Sequence, residues 1–120
     1  MNESLANCLA LAQGGYYLVT GVWPIVSIET FQKVAGRKTD LWLVKTVGLL
    51  VVTIGAVLLW AGGTGNVIGQ TAALAIGSAL ALTIIDVWYV RRRVISPIYL
   101  ADALAELILI GGWGAAIMTR

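Results

Sequence analysis

Charge, histidine and cysteine are all scarce in this sequence. Only 14 of the 120 side chains are charged (8 Lys and Arg, 6 Asp and Glu), or 12%, whereas a soluble domain carries roughly 25%. A chain this poor in charge and 59% hydrophobic has too few polar groups to cover a soluble surface. The absence of histidine and the single Cys8 remove the usual ligands of zinc, copper and haem iron and exclude an intramolecular disulfide. We therefore expect no metal and no redox cofactor.

The charged residues leave three uncharged stretches, over residues 4–28, 46–85 and 107–119. Because about 20 apolar residues are enough to cross a bilayer, the long middle stretch must hold two spans, joined by the glycine-rich turn 62–66. The sequence thus predicts an all-α integral membrane protein, a single domain over residues 1–120 in which four transmembrane helices form an antiparallel up-down bundle. The predicted spans cover about residues 4–27, 39–61, 67–90 and 96–118.

Basic residues mark one side of the predicted bundle. The connection between the first two spans holds Lys33, Arg37 and Lys38, and the connection between the last two holds Arg91, Arg92 and Arg93. The other side has only Arg120, so the positive-inside rule places both basic connections in the cytoplasm and both termini on the opposite side. We expect a location in the cell inner membrane, with the six basic side chains on lipid headgroups rather than on nucleic acid.

A short amphipathic segment follows the first span. Ile28, Phe31 and Val34 recur at every third position, which is the spacing of one helix face. Polar and charged side chains occupy the positions between them. We therefore expect residues 27–35 to form a short helix that lies in the interface on the cytoplasmic side.

The two halves of the chain have similar patterns. Residues 39–50 can be laid over residues 96–107, which aligns Lys45 with Asp102. A true duplication predicts two pseudo-repeated hairpins of the same orientation, related by an axis along the membrane normal. The alternative is a chance similarity, because apolar helices align easily with one another.

Four ionisable residues break the apolar pattern of the spans: Lys45, Asp86, Asp102 and Glu106. The first three lie within about six residues of the cytoplasmic ends of their predicted helices, and Glu106 lies one turn deeper. A charge at the bilayer centre costs roughly 2.5 to 3.5 kcal/mol on insertion scales, so such groups normally face each other or a cavity. These residues therefore form the candidate ion- or ligand-binding site, open toward the cytoplasmic side.

The fourth span carries a polar and aromatic stripe. At about 100° per residue, four of its side chains fall within an arc of roughly 60° that we expect to face the bundle interior: Tyr99, Asp102, Glu106 and Trp113. Three hydroxyl side chains lie deep in the first span, where they need partners and can complete the same lining: Tyr16, Tyr17 and Thr20. For the aromatic residues, the alternative is an ordinary aromatic belt at the membrane interfaces.

One internal lysine accompanies three internal carboxyl groups. Pairing Lys45 with Asp86 or Asp102 would neutralise both partners, which leaves Glu106 as the group that we expect to be protonated at rest. Other interpretations stay open for the shallower residues. Lys45 can extend its ammonium to the lipid headgroups, and Asp86 can pair with the arginines that follow its helix. Asp102 can belong to a structural ion pair.

Small residues predict close helix packing. The third span has an unbroken ridge of small side chains at every fourth position: Gly69, Ala73, Gly77 and Ala81. A second small face lies on its opposite side: Ala72, Ala75 and Ala79. Because small faces let backbones approach closely, we expect one face inside the bundle and the other in a homodimer contact. The alternatives are a dimer surface on the first span, at Ala6, Ala10 and Gly14, or no dimer at all, since glycine and alanine are common in membrane helices.

Three functions fit these residues. The first is proton- or cation-linked transport, in which Asp102 and Glu106 bind the ion and Lys45 or Asp86 gates it. The second is a non-catalytic subunit or assembly factor whose carboxyl groups match basic residues of a partner. The third is a membrane enzyme or binding protein for an apolar lipid or isoprenoid, with Glu106 as proton donor. We favour transport over an enzyme, since the sequence has no nucleophile–base pair, phosphate loop or metal motif.

Overall fold

The structure is a computed structural model that describes residues 1–119. Its five helices are α1 (Glu3–Val26), α2 (Ile28–Ala35), α3 (Leu41–Gly63), α4 (Gly69–Arg91) and α5 (Tyr99–Met118), and the described residues contain no strand. All of these helices except α2 are long and apolar enough to cross a membrane. The all-α class and the four helices of membrane-spanning length are therefore confirmed. Arg120, which bears on the predicted orientation, lies outside the described residues.

The helices begin and end within about three residues of the predicted bounds. The largest difference is at α5, which begins at Tyr99 because residues 96–98 form a tight turn, in which the Tyr99 N–H donates to the Ser96 carbonyl at 3.1 Å. The glycine-rich turn predicted at residues 62–66 follows α3. Within it, Gly65 has a φ of 67°, in the left-handed region that favours glycine.

α1 packs mainly against α3, and glycine residues make this contact close. A Cβ atom added at Gly21 would lie 2.6 Å from the carbonyl oxygen of Gly48, and one added at Gly14 would lie 2.8 Å from that of Gly55. Neither distance leaves room for a methyl group, so the two backbones meet where both helices lack side chains. α1 and α3 therefore form one tightly packed helix pair.

α4 packs mainly against α5, and its inner side is the alanine face. Ala72, Ala75 and Ala79 are buried, and the first two belong to a core that also contains Trp113 of α5. The glycine and alanine ridge of α4 points outward, because all four of its residues are exposed: Gly69, Ala73, Gly77 and Ala81. The structure therefore assigns the alanine face to the interior, and a homodimer contact through the outer ridge stays a prediction.

The alternative dimer surface on α1 is used inside the chain. Ala6 and Ala10 are fully buried in the same core as Trp113, and Gly14 is buried against α3. These small residues let α1 approach the other helices closely. Of the small faces identified in the sequence, only the outer ridge of α4 remains exposed.

α2 turns the chain back beside the end of α1. Ser27 caps the helix by accepting a hydrogen bond from the Thr30 N–H at 3.4 Å. The Trp23 ring of α1 donates from Nε1 to Thr30 Oγ1 at 2.9 Å and meets Phe31 edge to face, with ring centroids 5.4 Å apart. The short helix predicted over residues 27–35 is therefore present as α2, and it adds one wall to the cavity described next.

Candidate functional site

A cavity of about 500 Å³ lies between the four long helices, with α2 on one side. Most of its lining side chains are apolar or aromatic. Its principal polar residues are three carboxylic acids and three tyrosines: Asp86, Asp102, Glu106, Tyr16, Tyr17 and Tyr99. Thr20 also lines it, so seven of the nine residues that the sequence assigns to the site or its lining share one cavity, and Trp113 is buried outside it. The other exception is Lys45.

The carboxyl groups come from two packed helices. Asp86 lies near the end of α4, whereas Asp102 and Glu106 lie one turn apart on α5. Asp86 is 3% exposed and Glu106 is fully buried, and all three carboxyl residues line the same cavity. Three ionised carboxylates this close together in an apolar environment would repel one another strongly. The cluster of Asp86, Asp102 and Glu106, here called the carboxyl cluster, therefore requires protons or a bound cation.

Two consecutive tyrosines of α1 hold the carboxyl groups of α5. Tyr16 Oη donates to Asp102 Oδ1 at 2.5 Å, and Tyr17 Oη donates to Glu106 Oε2 at 2.7 Å. Both hydrogen bonds cross from the α1–α3 pair to the α4–α5 pair, so the polar site is also a joint between the two pairs. Thr20 plays no part in this joint, because its hydroxyl donates to the carbonyls of Tyr16 and Tyr17 in its own helix.

Two carboxyl oxygens in the cluster have no partner. Asp86 Oδ2 and Glu106 Oε1 are buried and form no hydrogen bond within the described residues. More than about 90% of buried polar groups in proteins are hydrogen-bonded, so each exception calls for an explanation. Both residues line the cavity, but the two oxygen atoms themselves are covered by neighbouring atoms, so a donor in the cavity reaches them only when these side chains reorient. A proton would remove the charge of a carboxyl group, and a cation with N–H groups would donate hydrogen bonds to these oxygens.

A buried amide lies on the other side of the tyrosines. Gln13 of α1 donates from Nε2 to the Ala75 carbonyl at 3.0 Å and accepts from Trp113 Nε1 at 2.7 Å. Gln13 and Trp113 are both fully buried, so they bind α1 to α4 and α5 at a level that the cavity does not reach. Gln13 is not among the site residues predicted from the sequence. Gln13 lies three and four residues before Tyr16 and Tyr17, which places it on the same helix face. This spacing could have identified it from the sequence.

One basic side chain lines the cavity within the described residues. Lys38, on the connection between α2 and α3, donates from Nζ to the Ala35 carbonyl at 3.3 Å and lies 4.7 Å from the centroid of the Tyr99 ring. Partial burial lowers the pKa of Lys38, since desolvation disfavours the charged form. Lys38 therefore differs from the predicted headgroup ligands Lys33 and Arg37, which are exposed.

The other basic residues among positions 1–119 lie outside the cavity. Lys45 is exposed on α3 and does not line the cavity, so the structure does not bring it together with Asp86 or Asp102. An exposed lysine at this position can extend its ammonium to the lipid headgroups, which is the second interpretation that the sequence allowed. The three arginines after α4 are also exposed, and Arg92 lies against the ring of Trp88, with its guanidinium carbon 5.7 Å from the ring centroid.

Within residues 1–119, no group of three or more histidine, cysteine, aspartate or glutamate side chains has an arrangement that can hold a metal ion. Comparison of the chain with models of protein families, with curated proteins and with solved structures gave no match. The interpretation of the site consequently depends on its own geometry.

Proposed function

We propose that this chain is an integral protein of the cell inner membrane whose four long helices form an antiparallel bundle. The contacts of α1 with α3 support this arrangement, because Gly14 meets Gly55 while Gly21 meets Gly48, so the partners run backward along α3 as α1 advances. Length and apolar composition support membrane insertion. The basic connections support an orientation with both termini away from the cytoplasm.

The arrangement in pairs also supports the internal repeat. The helix pairs that pack most extensively are α1 with α3 and α4 with α5. These two pairs are the two hairpins of the predicted duplication. The carboxyl cluster belongs to the second hairpin, and its tyrosine partners belong to the first. In proteins built from repeats, a site between the repeats is the usual place for a transported ligand.

The proposed function is proton- or cation-linked transport through the carboxyl cluster. The observation that carries it is the convergence of three carboxyl groups, two of them with an unpartnered buried oxygen, on one cavity between the helix pairs. A cation and a proton compete for the same oxygens, so binding one displaces the other. This competition is the elementary step of proton-linked exchange.

The tyrosine hydrogen bonds provide a physical connection between the site and the packing of the two helix pairs. Tyr16 and Tyr17 donate to carboxyl oxygens, and such bonds strengthen when the acceptor is ionised. Exchange of a proton for a cation therefore changes the interaction between the pairs. Outside the cavity, Gln13 and Trp113 are buried and hydrogen-bonded to each other between the helix pairs, so we expect the step that opens a path past them to be movement of one pair against the other.

A flux assay tests this proposal. Purified protein is placed in liposomes loaded with a pH-sensitive dye and exposed to gradients of Na⁺, K⁺ or an alkylguanidinium, which stays charged at neutral pH. We expect at least one gradient to drive proton movement, and we expect Glu106→Gln to slow it at least about tenfold, an effect of roughly 1.4 kcal/mol. Glu29→Gln is the matched control, because Glu29 is exposed on α2 and outside the cavity.

Two results would count against transport. One is a wild-type protein that moves protons no faster than protein-free liposomes under all three gradients. The other is a Glu106→Gln variant with wild-type flux, since the uncharged amide cannot exchange a proton in this way.

The apolar wall of the cavity favours a second candidate function, binding of an apolar lipid or isoprenoid with Glu106 as proton donor. Valine, leucine and isoleucine side chains from α3, α4 and the segment before α5 form much of this wall. In this case a lipid remains bound to the purified protein and is detected by mass spectrometry, while the flux assay shows no transport.

A further inference from the structure

The cavity joins an acidic cluster to an apolar wall, and this combination restricts the ligand. Three carboxylic acids and one lysine line it within the described residues, so the acidic groups outnumber the basic one. Ionised carboxyl groups would repel an anionic ligand, and a ligand without N–H or O–H groups would leave Asp86 Oδ2 and Glu106 Oε1 without a hydrogen-bond donor. The charge balance and the unpartnered oxygens both indicate a cation that donates hydrogen bonds.

The apolar wall favours an organic cation over a bare inorganic one. Ca²⁺ takes six to eight oxygen ligands and Mg²⁺ keeps an octahedral shell that includes several waters, whereas most residues that line this cavity are apolar or aromatic. Its volume of about 500 Å³ lies in the range of ~300–1000 Å³ that is usual for pockets that bind drug-sized organic molecules. The ligand therefore has a hydrocarbon or aromatic body in addition to its charge.

Aromatic side chains add to this preference. Trp23, Phe31 and Tyr99 all line the cavity, and the Tyr99 ring already lies beside one cation, the ammonium of Lys38, at 4.7 Å. Aromatic faces attract cations and pack against aromatic bodies. They contribute binding energy for the organic part of a ligand whose charged end contacts the carboxyl cluster.

We infer that the ligand of this cavity is an amphiphilic organic cation with N–H donors, such as an alkylammonium or arylalkylammonium ion. The side chains of Asp86 and Glu106 turn their covered, unpartnered oxygens toward the cavity to accept from its ammonium group, and its apolar body lies against the walls of α3 and α4. The inference rests on the proposed transport function and specifies the class of cation. A quaternary ammonium ion carries the same charge but no N–H, so it cannot make these hydrogen bonds.

Calorimetric titration with four probes of one skeleton tests the inference. The protein is placed in nanodiscs of uncharged lipid and titrated with 4-phenylbutylammonium, its trimethylammonium analogue, 4-phenylbutanol and 4-phenylbutyrate, and the heat measured with empty nanodiscs is subtracted. We expect the primary ammonium to bind at least about tenfold more tightly than each of the other three, the difference that one charge-assisted hydrogen bond provides. Equal affinity for the alcohol or for the trimethylammonium ion would overturn the inference.

Variants locate the bound cation. We expect Glu106→Gln and Asp86→Asn each to weaken binding of 4-phenylbutylammonium at least about tenfold, and the Glu29→Gln control to bind as the wild type does. Size-exclusion chromatography and helicity by circular dichroism identify any variant that does not fold. If one of the two carboxyl variants does not fold, the binding affinity of the other one tests the assignment. Wild-type affinity in a folded Glu106→Gln or Asp86→Asn protein would overturn the assignment.

The result separates this inference from the proposed function. If 4-phenylbutylammonium does not bind but Na⁺ or K⁺ drives proton flux that Glu106→Gln abolishes, transport stands and the ligand class is wrong. If 4-phenylbutylammonium binds as described but no cation gradient moves protons, the ligand class stands and transport is wrong. Titration in two buffers of different ionisation enthalpy also counts the protons released on binding, which links the two experiments.

Discussion

Replacing Tyr17 with phenylalanine removes the only hydrogen bond that Glu106 makes within the described residues. The Tyr17 Oη to Glu106 Oε2 distance is 2.7 Å, both side chains are fully buried, and Glu106 Oε1 has no partner. Tyr17→Phe thus leaves both carboxyl oxygens without a donor. The same substitution at the exposed Tyr89, which does not line the cavity, is the matched control.

The expected magnitude follows from burial and location. An unsatisfied buried acceptor costs about 1–3 kcal/mol, whereas hydrogen bonds between membrane helices average about 0.6 kcal/mol with a maximum near 1.7 kcal/mol. We therefore expect Tyr17→Phe to lower the free energy of unfolding by about 1–2 kcal/mol. Tyr89→Phe should change it by less than about 0.5 kcal/mol, as is usual for exposed positions.

A double-mutant cycle isolates this interaction from other effects of the two substitutions. Glu106→Met removes the carboxyl group and leaves the Tyr17 hydroxyl without an acceptor, while the double variant removes both partners together. We expect the double variant to be more stable than the sum of the single effects implies, by about 1 kcal/mol. Steric trapping in bicelles, which monitors reversible unfolding, measures the free energy of unfolding of each variant. A coupling below about 0.3 kcal/mol, the usual error of additivity, would refute the proposed link between the helix pairs.

Two further predictions concern the packing of α1 and the rim of the cavity. Gly21→Ala should lower the free energy of unfolding by about 1–3 kcal/mol, because its Cβ would lie 2.6 Å from the Gly48 carbonyl oxygen. Gly77→Ala is the control, since a Cβ there meets nothing within 4 Å, and equal stability of the two variants would contradict the close contact. Lys38→Gln should strengthen binding of 4-phenylbutylammonium in the calorimetric titration, because it removes the positive charge that lines the cavity. Weaker binding by this variant would show that Lys38 does not oppose the cation.

Local sequence patterns determined the helices. The uncharged stretches and the glycine-rich turn 62–66 placed four long helices to within about three residues, because a bilayer-length apolar run depends on composition alone. The periodicity of α5 also indicated its inner face, and in the structure Glu106 and Trp113 are fully buried. Both inferences need only the geometry of a single helix.

Which face of each helix points into the bundle could not be predicted from the sequence of that helix alone. Helical periodicity identifies two small faces on α4 but not which one is inside, and only packing against α5 buries the face of Ala72 and Ala75. For the same reason the sequence left open whether Lys45 pairs with an aspartate or extends to the headgroups, and the packing of α3 leaves it exposed outside the cavity. The direction of a side chain around a bundle depends on the rotation of the whole helix, which neighbouring helices determine.

The sequence by itself determined that a lysine and three carboxylic acids lie in apolar spans, since their rarity makes them conspicuous. Only the tertiary structure decided how the site is built from them. It joins Asp102 and Glu106 to Tyr16 and Tyr17, and it excludes Lys45 from the cavity. These pairings depend on the axial register of α1 against α5, which the close glycine contacts of α1 with α3 and the alanine face of α4 constrain. Register between helices is a property of packed surfaces, so no single-helix pattern contains it.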